Sequence, residues 1–260
     1  LPTLLSARNR RPYIAGQGIR LRRMLPEEAA RLMGITIVGA RWNAAKAAGF
    51  SEDQLFAAVA GSVDRRMVDA MVDIARQRDV FDGHDSIRYG SLFSGAFDAF
   101  FEGWRRTGMG VAHCMAVEID PKRRAVLQAA YDPTVVLNTV EAAVFAARAG
   151  GLPKVDVLTA SPPCNMVSQA RRVRSKDKER EDAKAMEEMV GYFSAIGAVS
   201  EAVEARVVMI EESDGLRGRY QAVLSAINGV LSELPFAWHH GAIRAEDLGA
   251  CHRRSRLGWV

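Results

Sequence analysis

The chain has 260 residues, enough for one large α/β domain or two small ones and ample for a buried core. Hydrophobic residues make up 48%, charged residues 25% and aromatics 7%, a balance that excludes both a disordered chain and a disulfide-rich scaffold. Thirty-five Lys and Arg against 31 Asp and Glu give a net charge of +4 and a pI near 9.1, which allows nucleic acid as a partner where the cations cluster. No apolar run reaches the roughly 18 residues of a membrane span, and the opening LPTLLSARNRR lacks the shape of a signal peptide, so an intracellular protein without a membrane partner is expected. The cysteines Cys114, Cys164 and Cys251 form no CxxC pair, so neither a disulfide framework nor a metal site is expected.

The segment from about 26 to 78 reads as helices. Pro26 with Glu27 and Glu28 suits a first turn and Gly34 a stop; Ser51-Glu52-Asp53 opens a second helix; Val63, Met67, Val68 and Met71 give a third its apolar face. A polar linker, ARQRDVFDGHDS, follows. From about 87 onward short apolar runs alternate with amphipathic helical stretches: IRYGSLFS, VAHCMAVEID, TVVLN, KVDVLTA, ARVVMIEE, FAWHHGAIRA and RLGWV. This alternation predicts a mostly parallel, doubly wound α/β sheet, in which ligands bind outside the carboxyl ends of the strands.

Chemistry is therefore sought at strand ends. The first strand runs into Phe93-Ser94-Gly95-Ala96-Phe97, a glycine-containing turn that serves either as a tight connection or as a ligand cradle. The second ends in Glu118-Ile119-Asp120; a carboxylate at this distance from such a turn can accept hydrogen bonds from a ribose diol, although a strand-end Glu is common on any surface. The fourth ends in Ser161-Pro162-Pro163-Cys164, where two prolines fix the backbone before a thiol held toward a ligand. Cys114 and Cys251 read instead as small buried hydrophobes. The strongest cation cluster, Arg171, Arg172, Arg174, Lys176, Lys178 and Arg180, follows Cys164 directly; it suits either a solvated helix face or a loop closing on phosphates.

Ser161-Pro162-Pro163-Cys164 with Ser168 beyond it resembles the Pro-Cys nucleophile motif of the DNA cytosine-5 methyltransferases. Leu92-Phe93-Ser94-Gly95 resembles that family's cofactor turn, Glu118 its ribose-binding acid, and Asn138 lies where an Asp usually meets the adenine. Ile210-Glu211-Glu212-Ser213 with Gly215-Leu216 is similar to its Glu-Asn-Val followed by Gly-Leu, and His252-Arg253-Arg254-Ser255-Arg256 to its Gln-x-Arg-x-Arg. Residues 23–34 resemble the ninth family motif, and Ala60-Gly61-Ser62-Val63 loosely the tenth, both of which usually stand at the carboxyl end. The resemblance implies a circularly permuted single domain over 1–260: a helical segment at 1–80 completing a Rossmann-like S-adenosylmethionine-dependent methyltransferase core at 87–260. It also places both chain ends where the family carries its target-recognition domain, so that domain is expected in a separate chain or a missing segment.

By this resemblance the activity is transfer of a methyl group from S-adenosylmethionine to C5 of cytosine in DNA, leaving S-adenosylhomocysteine, in a cytoplasmic protein of prokaryotic or phage type serving restriction-modification or a related role. Cys164 would add to C6 of a flipped base. Glu211 would act at N3, and Arg254 and Arg256 would supply positive charge and donors to the base. Phe93–Phe97, Glu118, Ile119, Asn138, Pro162, Ser62 and Val63 would hold the cofactor; Ser168, Arg171, Arg172 and Arg174 would meet DNA. The chain departs from the family pattern at Glu212 for Asn, His252 for Gln, Asn165 for Gln and Asn138 for Asp. These departures keep two alternatives in view: an impaired, cofactor- or DNA-binding member of the fold, and an enzyme acting on RNA or a modified pyrimidine.

Overall fold

A computed structural model of the chain describes residues 13–16, 19–35, 39–77, 81–164, 167 and 178–260. It opens with a hairpin, β1 (Tyr13–Gly16) and β2 (Ile19–Arg23), which no alternation in the sequence announced. Four helices follow: α1 (Pro26–Leu32), α2 (Ala40–Ala47), α3 (Glu52–Gly61) and α4 (Arg65–Arg76). Their starts follow from local chemistry. Glu28 accepts a hydrogen bond from the Leu25 amide, and Ser51 and Gln54 exchange side-chain bonds with each other's backbone amides in a capping box. The helix expected to carry Val63, Met67, Val68 and Met71 on its apolar face runs from Arg65 and so leaves Val63 outside it, because Asp64 takes the cap by accepting from the Arg66 amide at 2.8 Å.

Each of the seven apolar runs becomes a strand of one sheet: β3 (Ser86–Leu92), β4 (Gly110–Val117), β5 (Val135–Leu137), β6 (Val157–Ala160), β7 (Val207–Ser213), β8 (His240–Arg244) and β9 (Ser255–Trp259). Between them run α5 (Ala99–Arg106), α6 (Pro121–Tyr131), α7 (Val140–Arg148), α8 (Lys178–Ala202) and α9 (Gln221–Ser232). The strand order is β5-β4-β3-β6-β7-β9-β8, parallel except for β9, which lies antiparallel to both neighbours. The α/β fold expected from the sequence is thus the one observed.

Strands β6 and β7 are buried along their whole length because helices cover both faces. One face packs on α7, α8 and α9 through Ala143, Phe193, Ile196, Val223 and Ile227. The other packs on α5 through Phe100 and Trp104, and on α4 through Met67, Val68 and Met71. Helix α4 therefore belongs to the same core as the sheet, although it precedes the first sheet strand. The β3–β4 register shifts between Tyr89 and Gly90, which leaves Cys114 as the extra residue of a β-bulge and only half buried rather than in the core. Cys251, also expected in the core, is exposed beyond the 3-10 turn Glu246–Leu248. Among the described helices none is long and apolar enough to cross a membrane.

Candidate active site

Strand order reverses between β3 and β6, whose ends lie in register at Leu92 and Ala160. A cavity of about 400 Å³ opens there, within the range of roughly 300–1,000 Å³ usual for small-molecule sites. Phe93, Ser94, Gly95, Ala96 and Phe97 line it, as do Glu118, Ile119, Ser62, Val63, Pro162 and Cys164, which the sequence scatters over more than a hundred positions. Asn138 does not line it: its side chain is exposed, and the next three residues, Thr139, Val140 and Glu141, form that wall. Ser168, Arg171, Arg172 and Arg174 lie outside the described residues.

The turn after β3 is backbone chemistry first. Phe93 has φ +55° and Gly95 φ +67°, so a non-glycine residue and a glycine both occupy the left-handed region within three positions. For Phe93 that conformation carries strain of order 1–3 kcal/mol, held by the T-shaped contact of its ring on Tyr192 and by the fixing of the next residue. Ser94 supplies that fixing: its hydroxyl lies 2.7 Å from that of Ser91 and accepts from the Val117 amide at 3.2 Å. Glu118, nearly fully buried, accepts from the Gly95 amide on Oε2 at 2.8 Å and from the Asp120 amide on Oε1 at 2.9 Å. Each oxygen keeps a second lone pair, so the carboxylate both ties the turn to β4 and can receive a diol.

Cys164 lines the same cavity, four residues past β6. Burial pushes its thiol up to about 11; the Glu212 carboxyl adds to that, and Arg256 opposes it. The cations expected to acidify the thiol are present, but desolvation outweighs them. Behind Cys164, Arg256 Nε stands 2.5 Å from Glu211 Oε1 in a largely buried ion pair, close in distance although the N–H is not aimed along the lone pair. The antiparallel β7–β9 pairing makes this contact by setting Glu211 opposite Gly258 and Ser213 opposite Arg256.

Arg254 has a different place from the one expected. It is buried, and its Nη1 and Nη2 donate to the carbonyls of Ala60 at 2.8 Å and Ser62 at 2.7 Å, so its terminal donors clamp the end of α3 rather than face a base. Burial lowers its pKa to about 9. Two residues before it, His252 Nε2 meets Asp64 Oδ2 at 2.8 Å with both side chains withdrawn from solvent, and Ser62 Oγ donates to the Phe97 carbonyl at 3.2 Å. Glu212 is also buried: Oε1 accepts from the Ser213 amide at 2.6 Å, Oε2 has no hydrogen-bond partner, and burial raises its pKa to about 8, so the carboxyl is mostly protonated at neutral pH.

Sequence reasoning passed over several cavity residues. Asp98, Thr159 and Tyr192 line the same space, and Asp98 and Thr159 are joined through the buried Tyr89 hydroxyl. Asp98 caps α5 by accepting from the Phe101 amide, while its link to Tyr89 and Thr159 depends on strands that the local sequence does not show. Among the described residues no cluster of His, Cys, Asp or Glu could hold a metal ion.

A switch-point cavity with a buried acid just past the second parallel strand and a Pro-Pro-Cys segment past the fourth defines a Rossmann-like methyltransferase domain. The sequence model of the C-5 cytosine-specific DNA methylases matches residues 87–260, about two thirds of the chain, and the chain belongs to that family. Among solved structures it is similar to a protein described as a candidate DNA modification methyltransferase encoded within an E. coli prophage, at 17% identity and a TM-score of 0.46 over 66% of this chain and 45% of that one. It is also similar to the S. pombe Dnmt2 methyltransferase, at 15% identity and a TM-score of 0.44 over 67% of this chain and 48% of that one. The chain thus spans under half the length of either. No curated protein matches it.

Proposed function

We propose that this chain is the catalytic core of an S-adenosylmethionine-dependent DNA cytosine-5 methyltransferase that works through a covalent bond between Cys164 and C6 of a base turned out of the duplex. The observation that supports this most directly is that one cavity is lined by Cys164, Glu118 and the Phe93–Phe97 turn, with the Arg256–Glu211 pair near enough to act on the thiol electrostatically. The cavity fits the cofactor in chemistry as well as size. Glu118 has lone pairs for a ribose diol, Phe97, Ile119, Pro162 and Val63 offer apolar walls, and Gly95 leaves open space where a side chain would stand. The cofactor, when bound, supplies an electrophilic methyl group. Nothing else in the reaction is asked of it.

The remaining work belongs to the chain. Cytosine C5 is a weak nucleophile, and addition of the Cys164 sulfur to C6 pushes the C5–C6 electron pair toward C5 and N3. As that charge grows Glu211, carrying a proton, donates it to N3, and Arg256 fixes its orientation. Loss of the C5 proton and departure of Cys164 restore the double bond. The Cys164 thiol rests protonated, so the reactive thiolate is a minor state that the bound base must stabilise. The order of the motifs is a circular permutation in this reading, supported by Arg254 and His252 of the last strand region closing on Ser62 and Asp64 of the helical segment. Target recognition would then be supplied outside this core, by another chain or segment.

The raised Cys164 pKa and the buried Glu212 beside it favour the impaired member of the fold as the second reading. One experiment separates the two. Duplex DNA containing 5-fluorocytosine, incubated with the protein and S-adenosylmethionine, is expected to give a denaturation-resistant complex that Cys164→Ala abolishes, and unmodified DNA is expected to yield 5-methylcytosine. Folded, cofactor-binding protein that traps no DNA and makes no 5-methylcytosine overturns the proposal.

A further inference from the structure

Asp98 lines the cavity, is 3% exposed, and belongs to none of the roles above. Its two oxygens differ. Oδ1 accepts from the Tyr89 hydroxyl at 2.7 Å and from the Phe101 amide at 3.0 Å, the latter capping α5. Since the Tyr89 proton is committed to Asp98, the Thr159 hydroxyl 2.6 Å away donates to Tyr89 in turn, forming a chain of hydrogen bonds that ends on Oδ1. Oδ2 has no hydrogen-bond partner. The nearest basic group is His113 Nε2 at 4.0 Å, too far for a hydrogen bond, and burial lowers the pKa of that ring so that it is neutral at physiological pH.

A buried carboxylate oxygen without a donor is costly to leave in that state, and three groups on different elements (Tyr89 on β3, Thr159 on β6 and the α5 amide) hold it in place. The other buried acid of the cavity, Glu118, already accepts one backbone bond on each oxygen. Resting on the cofactor assignment above, we infer that Asp98 Oδ2 receives the α-ammonium group of S-adenosylmethionine and fixes the amino-acid end of the cofactor opposite the ribose held by Glu118. An ammonium brings both the positive charge and the N–H donors that Oδ2 lacks. A sulfonium brings charge alone and would leave the lone pairs without a proton.

The test is calorimetric titration of the full chain and of Asp98→Asn with S-adenosylmethionine, S-adenosylhomocysteine and 5′-methylthioadenosine, the last lacking the amino-acid part. Asn preserves the cap through its carbonyl oxygen but turns a donor toward the ligand. The expected result is a loss of tenfold or more in affinity for the first two ligands and unchanged affinity for the third. Unchanged affinity for all three overturns the inference, as does an equal loss for all three, which would assign Asp98 to folding alone. A loss confined to S-adenosylmethionine overturns it in favour of a sulfonium contact. If the unaltered protein binds none of the ligands, the cofactor assignment itself fails, a result distinct from the others.

Discussion

Arg254 donates from Nη2 to the carbonyl of Ser62 across 2.7 Å, while its Nη1 holds Ala60 at 2.8 Å, so the last strand region of the chain grips the end of a helix nearly two hundred residues earlier. Carbonyls at a helix end need donors, and here a buried guanidinium supplies two. The grip also fixes Ser62 and Val63 as one wall of the cavity.

Removing that side chain leaves buried carbonyls without donors. Arg254→Ala is expected to destabilise the fold by about 3 kcal/mol or more and to weaken S-adenosylmethionine binding. Arg254→Lys, which reaches one carbonyl at best, should lie between. Urea denaturation and calorimetric titration check both.

Glu212 sets a pH dependence with a definite sign. Its pKa of about 8 lies above the ordinary glutamate range, so the folded protein holds a proton that the unfolded chain releases. The stability that this provides is fully present below about pH 4.5 and is lost as pH rises through about 8, and Glu212→Gln is expected to flatten that decline by roughly 2–4 kcal/mol. The same substitution removes a negative neighbour of Cys164, so the thiol pKa should fall and alkylation by iodoacetamide at pH 9 should quicken several-fold. An alkylation profile identical in both proteins contradicts this.

Glu211→Gln keeps the shape of the side chain against Arg256 but takes away the acid. Methyl transfer is expected to fall by about 100-fold or more, with S-adenosylmethionine affinity unchanged, because Glu211 lies outside the cofactor cavity. Steady-state methylation alongside calorimetry checks the separation.

Two glycines are required for different reasons. At Gly95 a Cβ meets open space but φ is +67°, so Gly95→Ala should cost about 1 kcal/mol through conformation alone. At Gly103 on α5 a Cβ would stand 2.5 Å from Val68 Cγ1 on α4, so Gly103→Ala should cost about 1–3 kcal/mol through overpacking where the early helix meets the sheet layer. Thermal unfolding of each variant measures these costs, and only the first should also reduce cofactor binding.

The sheet was legible because a strand buried on both faces must be a short apolar run, and ARVVMIEE or KVDVLTA carries that signature without help from the rest of the chain. Helix α2 was not legible: ARWNAAKA has weak amphipathicity, and its burial of Trp42 depends on stacking with Phe97 far along the chain. The thiol, the ribose-type acid and the glycine turn could be read from residue type and position at strand ends. The surroundings of the thiol could not, since desolvation depends on what packs around Cys164 rather than on what precedes it.

The sequence by itself determined the succession of strands and helices, the placement of Glu118 and Cys164 just past strand ends and of Glu211 on a strand, and the family to which they point, because hydrophobic period and turn chemistry are local properties. Only the tertiary structure decided that Arg254 clamps α3 while Arg256 meets Glu211, that Asn138 stands off the cavity wall, and that Asp98, a cavity-lining residue, keeps one buried oxygen without a donor. The physical reason is that hydrogen-bond partnership and desolvation are properties of neighbours in space, and in this chain the decisive neighbours lie on different strands and helices.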